Sequence, residues 1–396
     1  MTGDSEASSP ATEAVPAGSV AAVALGGCLA LAAAMGIGRF VYTPILPFMV
    51  ESLGLTQAEA GVIASANFLG YLLGALAAAK ASLPGGRRRW FLISLGISAA
   101  TTAAMALEAS VPLFLFLRFA SGVASAVVLV FASALVLDRL AAAGRPGLSA
   151  LHFAGVGVGI AGSAVLVAGL AAGGVGWRGL WLASGALALL ALLAVLHLVP
   201  AEREPPPTPR PAGRARPNPR LVALILAYGL FGFGYVITAT FISTLVRLTP
   251  ALQWLEPYVW LTVGLAGIPS VALWGWVAKR IGNGRAFAGA CLVESIGVAF
   301  SVLGEGAVAV LLAAALLGGT IMGITALGLV HARSLSKGDP RRSMALMTAA
   351  FGLGQMIGPS FAGIAYGIGQ SFTLPTLVAS AALLLAFFLT MEWRRG

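Results

Sequence analysis

Two arginines, a histidine and a glutamate stand inside apolar runs of this chain, and these are the groups most able to do chemistry in it. Arg39 lies in Leu31–Phe48, LAAAMGIGRFVYTPILPF, just after Gly36-x-Gly38 and just before Pro44 and Pro47. Arg118 is followed one turn later by Gly122, His152 opens a glycine-rich run, and Glu294 is the only acid near the middle of an apolar segment. A charge in hydrocarbon is costly unless it faces a wet cavity or a partner, so such residues mark substrate or ion paths. A guanidinium can clamp a carboxylate with two parallel hydrogen bonds. Imidazole titrates near physiological pH and can shuttle a proton. Each has a plainer reading: Arg39 snorkelling to headgroups, Arg118 bonding backbone carbonyls, His152 packed and hydrogen-bonded, Glu294 holding a structural partner.

The elements that must position these groups are membrane helices. Of 396 residues, 59% are hydrophobic and 10% charged, and the mean hydropathy is +0.94. A soluble chain carries about 25% charge. The apolar blocks are roughly 20 residues long, enough to cross a bilayer. About twelve such spans are expected, six between residues 19 and 199 and six between 220 and 396. Residues 1–18 are polar and read as a disordered cytoplasmic tail. Residues 200–219 are rich in Pro and Arg and read as a cytoplasmic linker. The capping-box pattern Thr56-Gln57-Ala58-Glu59 predicts a helix start.

The net charge of +10 is explained by topology. With an inside N-terminus, twenty of the 24 Lys and Arg fall in inner loops and the tail, which is the positive-inside pattern. Both termini then face the cytoplasm, the protein is a multi-pass protein of the cytoplasmic membrane, and nucleic-acid binding is excluded. Cys28 and Cys291 stand in different apolar blocks and read as packing residues. Gly157-x-Gly159-x-x-Gly162 fits a dinucleotide fingerprint, but it follows no strand and reads as close helix packing. No phosphate loop, metal-ligand spacing or nucleophile–base set is present, so no cofactor, no metal and no enzymatic activity is expected.

The halves repeat. Gly36-x-Gly38 matches Gly232-x-Gly234, Gly122 matches Gly319, and Gly155-x-Gly157 matches Gly352-x-Gly354. Internal repeats of this kind are the mark of transporters. At the same offsets Arg39 faces Tyr235, Arg118 faces Ala315 and His152 faces Ala349, so the cations belong to the N-terminal half.

Arg118-x-x-x-Gly122, Gly354-x-x-x-Gly358-Pro359, and the basic turns Gly86-Arg87-Arg88 and Lys279-Arg280-x-Gly282 resemble motifs of the major facilitator superfamily. Its basic gating motif normally contains an aspartate, and neither turn here has one. Gly36-Ile37-Gly38-Arg39-Phe40, Asn67-Phe68-Leu69-Gly70-Tyr71 and Gly232-Phe233-Gly234-Tyr235 are similar to its YbfB/YjiJ-like branch. The resemblance implies an all-α membrane protein of twelve helices in two pseudo-symmetric six-helix bundles, working by alternating access. It implies that Arg39, Tyr42, Arg118, Tyr235 and Thr238 line the path. Asn67 and Tyr71 share a helix face and either bind substrate or glue helices. Gly155, Gly157, Gly354, Gly358 and Pro359 serve gating and helix packing. His152 and Glu294 are candidates for proton coupling, although the helix of Glu294 is peripheral in the implied fold.

The expected function is secondary active transport of a small organic molecule, with the two arginines pointing to an organic anion and a proton as coupling ion. A monomer in the lipid bilayer is expected. The competing readings are a proton-driven efflux pump for drugs or sugars, and a receptor or scaffold that has lost transport.

Overall fold

A computed structural model describes residues 17–80, 86–107, 109–199, 219–336 and 340–391. The expected tail before residue 17 and the linker at 200–218 lie outside the described residues. The chain is almost entirely helical. The N-terminal half contains α1 (Ala17–Leu31), α2 (Tyr42–Leu53), α3 (Gln57–Lys80), α4 (Arg87–Ala104), α5 (Val111–Ala142), α6 (Ser149–Ala172) and α7 (Trp177–Leu198). The C-terminal half contains α8 (Pro219–Arg247), α9 (Glu256–Gly267), α10 (Ser270–Ile281), α11 (Asn283–Leu303), α12 (Gly306–Leu335), α13 (Pro340–Gly369) and α14 (Thr373–Thr390). Among the described residues, nine helical segments are long and apolar enough to cross a membrane. The α9–α10 pair, bent by 44°, makes a tenth. Helices α4 and α13 occupy the third and eleventh places of the expected order.

The first span is not one continuous α-helix. A π-helical turn covers Ala32–Ile37, and regular helix resumes only at Tyr42. Gly38 and Phe40 donate to carbonyls five residues back, Ala33 and Met35. Pro44 has no N–H to return to Phe40, and Thr43 N–H bonds the Phe40 carbonyl instead of that of Arg39. The carbonyls of Gly38 and Arg39 are therefore left for side chains to satisfy, inside a region with no water to do so.

Small residues set the packing. Gly122 lets α5 lie on the Asn67 carbonyl of α3, and Gly318 lets α12 lie on the Val263 carbonyl of α9. Gly319, the sequence-aligned partner of Gly122, faces open space. The true equivalent is one residue earlier, because helix phase and not sequence offset decides which glycine meets its neighbour. Likewise Gly155 closes on the Cys28 carbonyl of the first span and Gly354 on the Gly229 carbonyl of the seventh. Gly157 and Gly352 instead meet the opposite half, at Ile268 and Leu72.

The two halves touch along α3 with α13 and α6 with α9. A Cβ at Gly61 would collide with the Pro359 carbonyl, and one at Gly363 with the Gln57 carbonyl. The capping box forms: Thr56 N–H donates to Glu59 at 2.9 Å, and Glu59 N–H donates to Thr56 Oγ1 at 3.1 Å. Arg87, in a turn without its own aspartate, reaches Asp138 of α5 at 3.6 Å. Both side chains are exposed, so the pair adds little stability.

Candidate functional site

The break in the first span brings the two arginines together. Arg118 is 2% exposed. It donates Nη1 to the Gly38 carbonyl at 2.9 Å and Nη2 to the Arg39 carbonyl at 2.7 Å. Ser121, one turn along α5, adds a bond to Gly38 O at 3.0 Å. Asn67 Nδ2 in turn donates to the Arg118 carbonyl at 2.9 Å. Arg118 is thus committed to holding the broken backbone, which is the structural reading of this residue. It points the Arg39 side chain away from its own helix and toward the other half.

Arg39 is also 2% exposed. Its guanidinium lies 4.1 Å from the Tyr71 ring, 4.7 Å from Phe68 and 5.3 Å from Phe40. Aromatic faces attract a cation electrostatically, more so where water is excluded. One terminal nitrogen donates to Gln355 Oε1 of α13 at 2.7 Å. Gln355 Nε2 bonds the hydroxyl of Tyr235 on α8. Arg39 has no carboxylate partner among the described residues, and its Nε has no hydrogen-bond partner. A buried cation, a carboxamide and a phenol from the two halves therefore meet between them. Snorkelling is not what Arg39 does here.

The other candidates divide. Tyr42 donates its hydroxyl to the Ala60 carbonyl at 2.9 Å and lies beneath Arg118, so it braces the arginine. Thr238 is buried with a hydroxyl that has no partner. Tyr71 forms the floor under Arg39. Asn67 Oδ1 remains without a partner. His152 stands apart from this centre, with Ser133 at 3.1 Å and Gly27 against its ring. Glu294 is fully buried, with neither oxygen hydrogen-bonded. The face of its helix that carries Glu294 packs inward, while Ile296, Phe300 and Leu303 of the same helix are exposed. The residue that site reasoning missed is Gln355. Its signal is a carboxamide beside Gly354 in a largely apolar span.

Residues 31–391 match the family described as uncharacterised MFS-type transporter YbfB. The chain belongs to this family of the major facilitator superfamily. A chloramphenicol resistance protein of Streptomyces lividans is 29% identical over 375 residues, covering 89% of this chain and 93% of that protein. Solved structures of the nucleoside transporter NupG share the fold. One superposes with a TM-score of 0.69 at 15% identity, covering 95% of this chain and all of that one. A mutant form gives 0.70 at 15% identity over 92% and 98% of the two chains.

Family and fold are those of transporters, and the chain is a multi-pass membrane protein. In this YbfB-type transporter the C-terminal side of the Arg39 centre is aromatic. Tyr235 stacks on Phe231 at 5.1 Å and on Phe351 at 5.9 Å, and Tyr228 lies 5.0 Å from Phe351. The N-terminal half brings the cations to the junction and the C-terminal half brings flat rings and hydrogen-bonding groups. Cross-half bonds close the end that carries Glu51. Thr43 donates to the Ala239 carbonyl at 2.6 Å, Ser360 to Ser65 at 2.8 Å, and Arg247 to Glu51 at 3.2 Å.

Proposed function

We propose that this transporter moves a small organic molecule carrying an acidic group across the cytoplasmic membrane by alternating access. The observation that carries the reading is Arg39: a buried cation between the halves, held by neutral groups, with no carboxylate among its described partners. An anion would supply the missing charge and receive hydrogen bonds from the guanidinium and Gln355. An acid carried on a flat ring suits the rings of Tyr71, Tyr235 and Phe351. Proton coupling belongs to Glu294, a fully buried acid with no cationic partner among the described residues. The distribution of basic residues supports an orientation with both termini in the cytoplasm, in which the Glu51–Arg247 end faces outward. The test is transport of a panel of aromatic acids by proteoliposomes. Arg39→Gln is expected to abolish it with the protein still folded; unchanged transport would overturn the reading.

The chloramphenicol-resistance relative favours a second reading, proton-driven export of a neutral aromatic drug. It predicts that cells carrying the protein tolerate chloramphenicol, that Glu294→Gln removes the tolerance, and that Arg39→Gln leaves part of it.

A further inference from the structure

We propose a second binding site, at the Arg247 end and distinct from the Arg39 centre, that takes a small amine-bearing polyhydroxylated molecule of the amino-sugar type. A depression of 460 Å³ lies between the halves there, within the volume range of small-ligand sites, about 300–1,000 Å³. Its polar lining is Glu51 and Gln57 from the N-terminal half and Thr244, Arg247, Gln253 and Glu256 from the C-terminal half.

Two of these side chains carry a buried polar atom without a hydrogen-bond partner. Gln57 is 8% exposed and Thr244 is 2% exposed, yet Gln57 Oε1 and Thr244 Oγ1 have no hydrogen-bond partner. Thr240 and Thr249 satisfy themselves by bonding the carbonyl four residues back, at 2.7 Å and 2.9 Å, whereas the hydroxyls of Thr238 and Thr244 stay unpaired. Thr244 makes no such bond. A buried polar group left unpaired costs free energy comparable to a lost hydrogen bond. A hydroxylated molecule can both donate to and accept from these two groups.

The charge of the site selects the class further. Arg247 Nε donates to Glu256 at 2.7 Å and Nη1 to Glu51 at 3.2 Å, so one cation faces two carboxylates. Glu51 is 73% exposed and is available to an ammonium group. Pro47, Val50 and Leu248 give an apolar wall for the C–H face of a ring. The sign is opposite to that of the Arg39 centre, so the acids proposed as cargo there are repelled here. Because both halves line the depression, an occupant binds the conformation in which this end is closed and favours it.

The probe is radiolabelled glucosamine, bound at equilibrium to the full-length protein in detergent. Saturable binding is expected, weaker for glucose and absent for glucuronate. Gln57→Met with Thr244→Val should weaken it at least about tenfold, and Arg39→Gln should leave it unchanged. Thr244→Val alone, nearly isosteric, carries the same test if the double variant melts early. No saturable binding at millimolar glucosamine, or equal binding by these variants, overturns the site. Loss of binding in Arg39→Gln also overturns it, by moving glucosamine to the central site. None of these outcomes bears on whether acids are transported through Arg39.

Discussion

Among the described residues each half of this transporter has a broken span, but the breaks fall in different places and are braced by different chemistry. In the N-terminal half the first span opens at Gly38–Arg39, and a charged residue, Arg118, takes both carbonyls. In the C-terminal half the first span, α8, runs unbroken over 29 residues, and the second opens between Gly267 and Ser270. There Ser270 donates to the Gly319 carbonyl at 2.8 Å and accepts from Gly323 N–H at 2.9 Å, while Trp274 Nε1 donates to the same Gly319 carbonyl at 2.9 Å. These neutral groups pin the start of α10 to α12 and bond backbone groups of α12, not of the break itself. Among the described residues, it is the N-terminal break whose own carbonyls are taken by a cation, Arg118. It adds positive charge beside Arg39, where the two halves meet, and Ala314 stands at the matching position of α12 once Gly318 is taken as the partner of Gly122.

The largest expected effect breaks the charged seal. Arg118→Leu leaves the Arg39 carbonyl buried and unpaired, while Ser121 still serves Gly38. The cost expected is about 2–4 kcal/mol, read as lower melting temperature and loss of folded protein. Ser270→Ala should cost about 1 kcal/mol, because Trp274 still holds Gly319. Equal losses in the two variants would refute the contrast between a charged seal and a neutral brace. Arg118→Lys should rescue little, since one ammonium does not reproduce a planar fork aimed at two carbonyls.

Much of this comparison was legible in the chain, and what escaped follows a pattern. The spans, their apolar lengths and the two intramembrane arginines come from composition and position alone, because lipid forces helix and penalises charge. Glycine and proline around Arg39 signalled a weak helix, although not the π-turn, which depends on which carbonyl each N–H finally selects. The partner of Arg39 was hidden because Gln355 lies 316 residues away, and no helical period relates residues on different spans. The Gly319 assignment failed by a single residue, since a constant offset ignores the phase of each helix. Glu294 was assigned to a peripheral helix, but one face of such a helix still packs inward, and the burial of a single side chain is a property of that face.

The next effect sharpens the repeat itself. Gly122→Ala and Gly318→Ala push a methyl group into the backbone of α3 and α9, and each is expected to cost about 1–3 kcal/mol. Gly319→Ala should be neutral, because nothing lies within reach of the added carbon. Thermal melting of the three purified variants decides it. A destabilised Gly319→Ala beside an unaffected Gly318→Ala would restore the alignment read from sequence and undo the pairing of Arg118 with Ala314.

The smallest effect separates contacts within a half from contacts between halves. Ser65 and Ser360 join α3 to α13 across the junction, with hydroxyls 2.8 Å apart. Ser295 and Ser380 join α11 to α14 inside one half, at 3.0 Å. An interhelical hydrogen bond in a membrane protein is worth about 0.6 kcal/mol, so Ser65→Ala and Ser295→Ala should lower the melting temperature by similar small amounts. Only the first bond links surfaces that must part if the two halves rock against each other. Ser65→Ala should therefore shift the balance toward the state open at the Glu51 end by about threefold, and Ser295→Ala should not. Alkylation of a cysteine at position 61, where α3 meets Pro359, would report that opening, but Gly61 admits no side chain in the closed form. Leu55, at the rim before α3, is the better label site. Faster alkylation of Leu55→Cys in the Ser65→Ala background alone would tie the serine pair to transport, whereas equal rates in both backgrounds would make it packing.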